Sequence, residues 1–254
     1  MTAQSEFAGR VAIVTGGGAG IGFAVARAFA RAGAHVAIAG RTKATLAHSA
    51  ALIEEMGGEV LTVPADLAVA ADCERIVQAT VERFGAADIL VNNAAHFALI
   101  PLLDADAEAA ARFLSANVAG PLLCGRAFAA HAILKRRGGT IVNVSSIAGV
   151  RPAPGCGLYS ASKAALDSLT RSMALEWGPN GLRVNAVAPG HVATEGVLAD
   201  FQAGRLDEAT LVASIPARRI ADVDDVADAV LFLSSCAARH VMGHVLTVNG
   251  GEGF

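Results

Sequence analysis

Val11-Ala12-Ile13-Val14-Thr15-Gly16-Gly17-Gly18-Ala19-Gly20-Ile21-Gly22 is the stretch on which the fold turns. Its opening residues are apolar or β-branched with no polar alternation, the pattern of a strand covered on both faces of its sheet. The glycines that follow permit a turn too tight for side chains, and residues 20–32 then take up helical periodicity. Strand, glycine turn and helix in this order let the backbone approach a pyrophosphate and aim the helix N-terminus at it. Glycines also serve in plain turns, so the string carries weight through its place between the first strand and the first helix.

The alternation continues outward from there. Residues 36–39, 59–63, 89–92, 140–145, 183–188 and 244–248 read as further strands, and 43–57, 69–84, 105–137, 158–178 and 223–235 as helices. Strands and helices in strict turn predict right-handed βαβ crossovers and a doubly wound parallel sheet of the α/β class. Residues 193–216 break the rhythm with short helical pieces and read as a mobile flap on one domain spanning 1–254.

A chain of 254 residues, 54% hydrophobic with mean hydropathy +0.49, buries a substantial core and is not disordered. Its formal charge of −3 argues against a dedicated nucleic-acid binder. Residues 1–10 carry Glu6 and Arg10 and lack the apolar centre of a secretory signal. The charge-free run 89–103 contains Asn92, Asn93 and Pro101 and falls short of a membrane span. Cys73, Cys124, Cys156 and Cys236 form no CxxC pair, and no HExxH-like cluster is present. They fit reduced, mostly packed thiols in a cytoplasmic protein without a metal site.

The end of the second strand speaks to the nucleotide. An aspartate or glutamate there usually binds ribose hydroxyls, but this chain has Gly40 followed by Arg41. No acidic residue occurs from Phe7 to Ile53, whereas Arg10, Arg27, Arg31, Arg41 and Lys43 do. A carboxylate would repel a 2′-phosphate and a guanidinium fork would hold it, so NADP(H) is the expected cofactor. Arginine also stacks on adenine without any phosphate, which keeps NAD(H) open. Arg27 and Arg31 read as solvated helix positions.

Tyr159 is the sole tyrosine, and Lys163, one of three lysines, follows it by four residues. That spacing stacks them on one helix face. A neighbouring ammonium stabilises a phenolate and lowers the phenol toward the working range, making it a usable proton donor or acceptor. Ser145 and Ser146 close the fifth strand, where α/β sheets present ligands, and a hydroxyl there can bond a substrate oxygen. Serines after a strand also serve as turn and cap residues. There is no GxSxG elbow to suggest a serine nucleophile. His96 and His191 fall in strand-end loops, where contact with substrate is open.

These residues together resemble the short-chain dehydrogenase/reductase family over nearly the whole chain. The motifs are TGGGAGIG at 15–22, Asp66-Leu67, NNAA at 92–95, Asn117, IVNVSS at 141–146, YSASK at 159–163 and NAVAPGHVAT at 185–194. The resemblance implies a seven-stranded Rossmann-like sheet, a homotetramer and a small-molecule carbonyl or alcohol substrate. It implies Ser146 as the catalytic serine, Tyr159 as the acid/base, and Lys163 as both its tuner and a ribose ligand. Asn117 would keep a water in the proton relay. Cofactor contacts would come from Gly16, Gly18, Gly20, Ile21, Gly22, Asp66, Leu67, Asn93, Ala94, Pro189, Gly190, Val192 and Thr194, with Arg41 from the charge argument above. Ala95 stands where the family has the last glycine of NNAG, and Asn249 where it has the aspartate of VDGG. Ala19 lacks the basic residue many NADP-using members carry, so the NADP preference rests chiefly on Arg41.

The expected reaction is metal-free carbonyl reduction or secondary-alcohol oxidation, in a pocket bordered by residues 95–97, 150–157 and 191–198. An alternative is a 3-oxoacyl-(acyl-carrier-protein) reductase. It would want a basic entrance patch, for which Lys135, Arg136 and Arg137 are candidates, although they also suit a solvated helix end; Pro179-Asn180 is neutral. A third reading is a nucleotide-sensing or scaffolding protein without chemistry, though relatives of that kind typically lose the tyrosine or lysine that this chain keeps.

Overall fold

The structure is a computed structural model and describes residues 6–253. Residues 1–5, half of the segment read as lacking a secretory signal, and Phe254, the end of the expected domain span, lie outside the described residues. The strands are β1 Val11–Thr15, β2 His35–Gly40, β3 Val60–Pro64, β4 Ile89–Asn92, β5 Gly139–Val144, β6 Leu182–Pro189 and β7 Val245–Val248. All pair in parallel in the order β3-β2-β1-β4-β5-β6-β7. The chain runs outward in both directions from the β1–β4 junction, and such a switch point leaves a crevice beyond the strand C-termini.

β1 shows why the sheet is apolar throughout. Ala12 and Val14 enter one core with Val25, Phe29, Ile38, Val226 and Val230, while Ile13 enters a second with Ile76, Leu90, Phe128 and Leu182. Successive strand side chains face opposite sides, so a sheet covered on both sides needs every residue apolar. The helices that cover it are α1 Gly20–Arg31, α2 Lys43–Glu55, α3 Ala70–Phe84, α4 Ala107–Leu114, α5 Gly120–Lys135, α6 Gly157–Trp177 and α9 Val223–Ser234.

One expected helix is divided. The run 105–137 forms α4, a π-helical segment Ser115–Ala119, and then α5. Pro121 in the first turn of α5 and fully buried Asn117 in the π segment account for the break: the wider turn brings a polar side chain inward. Residues 193–216 hold two short helices, α7 Glu195–Gln202 and α8 Glu208–Ser214, capped by the side chains of Thr194 and Asp207. Among the described residues no helix is long and apolar enough to cross a membrane, and no cluster of histidine, cysteine or carboxylate side chains could hold a metal ion.

Candidate active site

At the β1–β4 switch point the glycine loop turns through Gly16 (φ +67°) and Gly20 (φ +52°), both in the left-handed region that favours glycine. A side chain on Gly22 would fall on the Gly16 carbonyl oxygen, so the helix starts against the loop's own backbone. Gly16 N donates to Ala39 O at 2.7 Å, and Gly18 O accepts from Ser49 Oγ at 2.8 Å, fixing the loop to β2 and α2. Ala19 precedes α1 without a side-chain cap, and the first turn carries no acidic residue. Uncapped N–H groups and a positive dipole end with no acidic residue in the first turn fit a bound pyrophosphate, with the Glu195 carboxylate of the facing loop lying beside Gly20.

Asn93 supports this loop from β4. Its Nδ2 donates to Thr15 O at 3.0 Å and Gly16 O at 3.3 Å, while the amides of Asn93 and Ala94 donate to Thr15 Oγ1. Asn93 thus spends its side chain on shaping the glycine turn. Arg41 is exposed just beyond β2 and makes no hydrogen bond or ion pair among the described residues. Asp66 lies past β3, its Oδ1 accepting from Ala68 N at 3.0 Å and its amide donating to Asp72 Oδ2. Leu67 beside it is buried against Gly120.

Tyr159 and Lys163 occupy one face of α6, the lysine Nζ 5.6 Å from the tyrosine ring centre. Lys163 is 2% exposed and donates to Val144 O at 2.7 Å, at the end of β5. Burial lowers its ammonium to about 8, and Asp167 one turn further on acts against the drop. Burial pushes the Tyr159 phenol up; hydrogen bonding with the Ser146 side chain pulls the other way, and Cys156 adds a further upward push. This differs from the lowering expected of an adjacent lysine: the ammonium is spent on a backbone carbonyl, and desolvation governs the phenol. Ser146 also accepts from Ala148 N at 3.1 Å, so it is both a cap and a neighbour of the phenol.

Both N–H donors of Asn117 are committed within the protein. Its Oδ1 accepts from His96 N at 2.7 Å, and its Nδ2 donates to His96 O and Ser162 Oγ, both at 2.9 Å. Ser162 Oγ in turn donates to Tyr159 O at 2.7 Å. The π segment is therefore tied through Asn117 both to the loop after β4 and to the turn of α6 that bears the tyrosine. Asp167 escaped the sequence reading, although a carboxylate four residues after Lys163 was a visible signal. It is buried, its Oδ1 finds no hydrogen-bond partner among the described residues, and its Oδ2 packs against Gly149, in the turn that carries Ser146.

Beside this group lies an apolar wall. Phe97, 59% exposed, sets its ring edge on Tyr159 with centres 5.0 Å apart. Leu99 packs at Gly155 and Leu102 at Gly157, and Ile100 N donates to Gly155 O at 2.8 Å, zipping residues 97–102 to the loop before α6. Opposite, Pro189 ends β6 beside Val248, Val192 bridges Ala221, and Thr194 caps α7. A side chain on Gly20 would lie 3.4 Å from Thr194 Cγ2, which places the loop after β6 against the glycine loop.

A parallel sheet with a glycine loop at its switch point and a tyrosine, lysine and serine gathered beside it defines the dinucleotide-fold oxidoreductases. The family model described as Enoyl-(Acyl carrier protein) reductase matches residues 16–252. An uncharacterized oxidoreductase of Thermotoga maritima is 40% identical over 97% of this chain and 98% of its own length. The 2-(S)-hydroxypropyl-CoM dehydrogenase 3 of Xanthobacter autotrophicus is 38% identical over 95% of both chains. A 7α-hydroxysteroid dehydrogenase solved with NADH and 7-oxo glycochenodeoxycholic acid superposes with a TM-score of 0.93 at 30% identity, covering 99% of this chain and 97% of that one. The chain belongs to the short-chain dehydrogenase/reductase family.

Proposed function

We propose that this oxidoreductase interconverts a carbonyl and a secondary alcohol on an apolar small molecule, with NADP(H) preferred over NAD(H). The observation that carries the reading is the Tyr159 phenol held beside Ser146, one helical turn from buried Lys163, next to the glycine loop. A nicotinamide dinucleotide bound on the glycine loop would supply the hydride. The residues that would hold it are Gly16, Gly18, Gly20, Ile21 and Gly22, with Asp66, Leu67 and the backbone of Asn93 and Ala94 on one side and Pro189, Gly190, Val192 and Thr194 on the other. Arg41, without a carboxylate partner among the described residues, supports the 2′-phosphate preference.

Ser146 orients the substrate oxygen by a hydrogen bond, and Tyr159 gives that oxygen its phenolic proton in reduction or takes it back in oxidation. Lys163 places a positive charge behind the phenol, favouring the phenolate left after proton donation. Asn117 holds the tyrosine's turn; both N–H donors of its side chain are in use, so a relay water would meet it only at an acceptor. The wall of Phe97, Leu99 and Leu102 favours a substrate with a bulky apolar flank over a polyol.

The acyl-carrier alternative gains nothing from geometry. Lys135 ends α5, and Arg136 and Arg137 follow it into the start of β5, with Arg137 paired to Asp88 ahead of β4. That is the N-terminal edge of the sheet, opposite the site. Four free cysteines support a reducing cytoplasmic setting, and exposed Leu134 and Leu175 on α5 and α6 support self-assembly such as the expected homotetramer.

The test is turnover of apolar ketones and alcohols, sugars and an acyl-carrier thioester with each nucleotide pair, in the wild type and Tyr159→Phe. Loss of at least about 1000-fold in turnover with nucleotide binding intact is expected for the variant. Because the phenol is pushed up, wild-type oxidation should climb with pH beyond neutrality while reduction does not. Full turnover by Tyr159→Phe would overturn the assignment.

A further inference from the structure

Glu252 belongs to no motif, yet its side chain reaches back to the loop after β6. Its Oε2 accepts from His191 N at 3.0 Å, and its Oε1 lies 2.7 Å from His191 Nδ1. Gly190 admits this approach, since a side chain there would fall on the Glu252 carboxylate. The turn that carries Glu252 is itself closed: Asn249 Nδ2 donates to Glu252 O at 2.5 Å, and the Glu252 amide donates to Asn249 O at 2.9 Å. The same turn takes a bond from Ala217 N to Gly250 O at 2.9 Å, just past the 193–216 segment. At the loop's other end, Thr194 and Glu195 lie against Gly20 of the glycine loop. The 189–194 loop is thus held between the glycine loop and the C-terminal turn.

The charges agree with the contacts. Glu252 raises the His191 imidazole above its usual range, outweighing the effect of burial. Burial pushes Glu252 up, but its bonds to His191 and the nearby Arg151 guanidinium leave it below the usual carboxylate range. Arg151, from the loop after β5, lies against Gly253 and is the other charge facing this carboxylate. A neutral imidazole can still donate through Nδ1, but it loses the charge that strengthens the bond.

We propose that Glu252 is a positioning residue for nucleotide binding: by capturing both the amide and the ring of His191 it keeps the 189–194 loop against the glycine loop, and the hold slackens when His191 loses its proton. This rests on the cofactor reading above. The probe is NADH, which carries no 2′-phosphate to titrate in the working range, with Kd followed by nucleotide fluorescence from pH 6 to 8.5. The His191 ring is titrated in parallel by NMR. Wild-type Kd is expected to rise severalfold across the His191 titration. Glu252→Gln should bind about tenfold more weakly at pH 6, lose that dependence and return His191 to the ordinary imidazole range.

His191→Gln keeps a neutral donor, so it should show a pH-independent Kd near the wild type's high-pH value. This variant decides the matter if Glu252→Gln melts early. Glu252→Gln binding as tightly as the wild type at pH 6, or either variant retaining the wild-type dependence, would overturn the proposal. A wild type that binds neither NADH nor NADPH overturns the cofactor reading and this one with it, whereas wild-type binding with unchanged variants overturns this one alone.

Discussion

Lys163→Met should make the protein's stability less dependent on pH, and the size of the effect follows from burial. The ammonium is 2% exposed and lowered to about 8, against an ordinary lysine value of 10.5. Below pH 8 both folded and unfolded chains hold the proton, and the folded state carries the whole cost of burying it, about 3 kcal/mol. Between 8 and 10.5 the unfolded chain holds more protons than the folded one, so wild-type stability rises with pH. Methionine fills much the same space and cannot titrate.

Urea unfolding of both proteins, followed through the single tryptophan Trp177, gives the comparison. From pH 7 to pH 10 the wild type should gain about 2.5 kcal/mol relative to the variant, most of it above pH 8. Tyr159 is present in both and largely cancels. The lost bond to Val144 O offsets the two curves by about 1–2 kcal/mol, leaving the slope of their difference unchanged. A difference that stays flat across this range would refute a desolvated Lys163, and with it the electrostatic role given to this side chain. Activity should be lost at every pH.

Two further substitutions bear on the nucleotide site. Arg41→Ala should weaken NADPH binding by about 10- to 100-fold, the worth of a charge-assisted phosphate contact, and leave NADH nearly untouched. Equal losses for both in a fluorescence titration would assign Arg41 to adenine stacking or to no contact. Gly22→Ala puts a methyl group onto the Gly16 carbonyl and Asn93 Nδ2, so it should cost about 1–3 kcal/mol of stability and abolish nucleotide binding. Gly196→Ala is the control: it meets nothing within 4 Å and should be neutral or stabilising in α7. Comparable damage from both would mean that the crowding at Gly22 is not what forbids a side chain.

The sheet was legible because its signal is local. A run such as Val11–Thr15 declares burial on both faces, and seven such runs spaced by helical periods leave little choice of topology. The nearness of Tyr159 and Lys163 was legible for the same reason, since four residues on a helix fix it. What escaped depends on residues distant in sequence. The π segment became visible only when Asn117 met His96 and Ser162 across folds of the chain. Glu252 meets His191 across 61 residues and carries no motif of its own. Asn93 reads as a backbone cofactor contact; what the motif did not show is that its side-chain amide is spent on Thr15 and Gly16, because the turn needs a donor from β4 as well as its glycines.

The sign of the two central pKa shifts marks the same boundary. Spacing says that an ammonium and a phenol are neighbours, and neighbours of that kind draw the phenol down. Burial, a property of the packed chain, moves Tyr159 up and Lys163 down. Near neutrality both side chains therefore retain their protons, the lysine because about 8 still lies above the working pH. A site that rests fully protonated has its proton ready for a carbonyl oxygen, whereas alcohol oxidation must first empty the phenol.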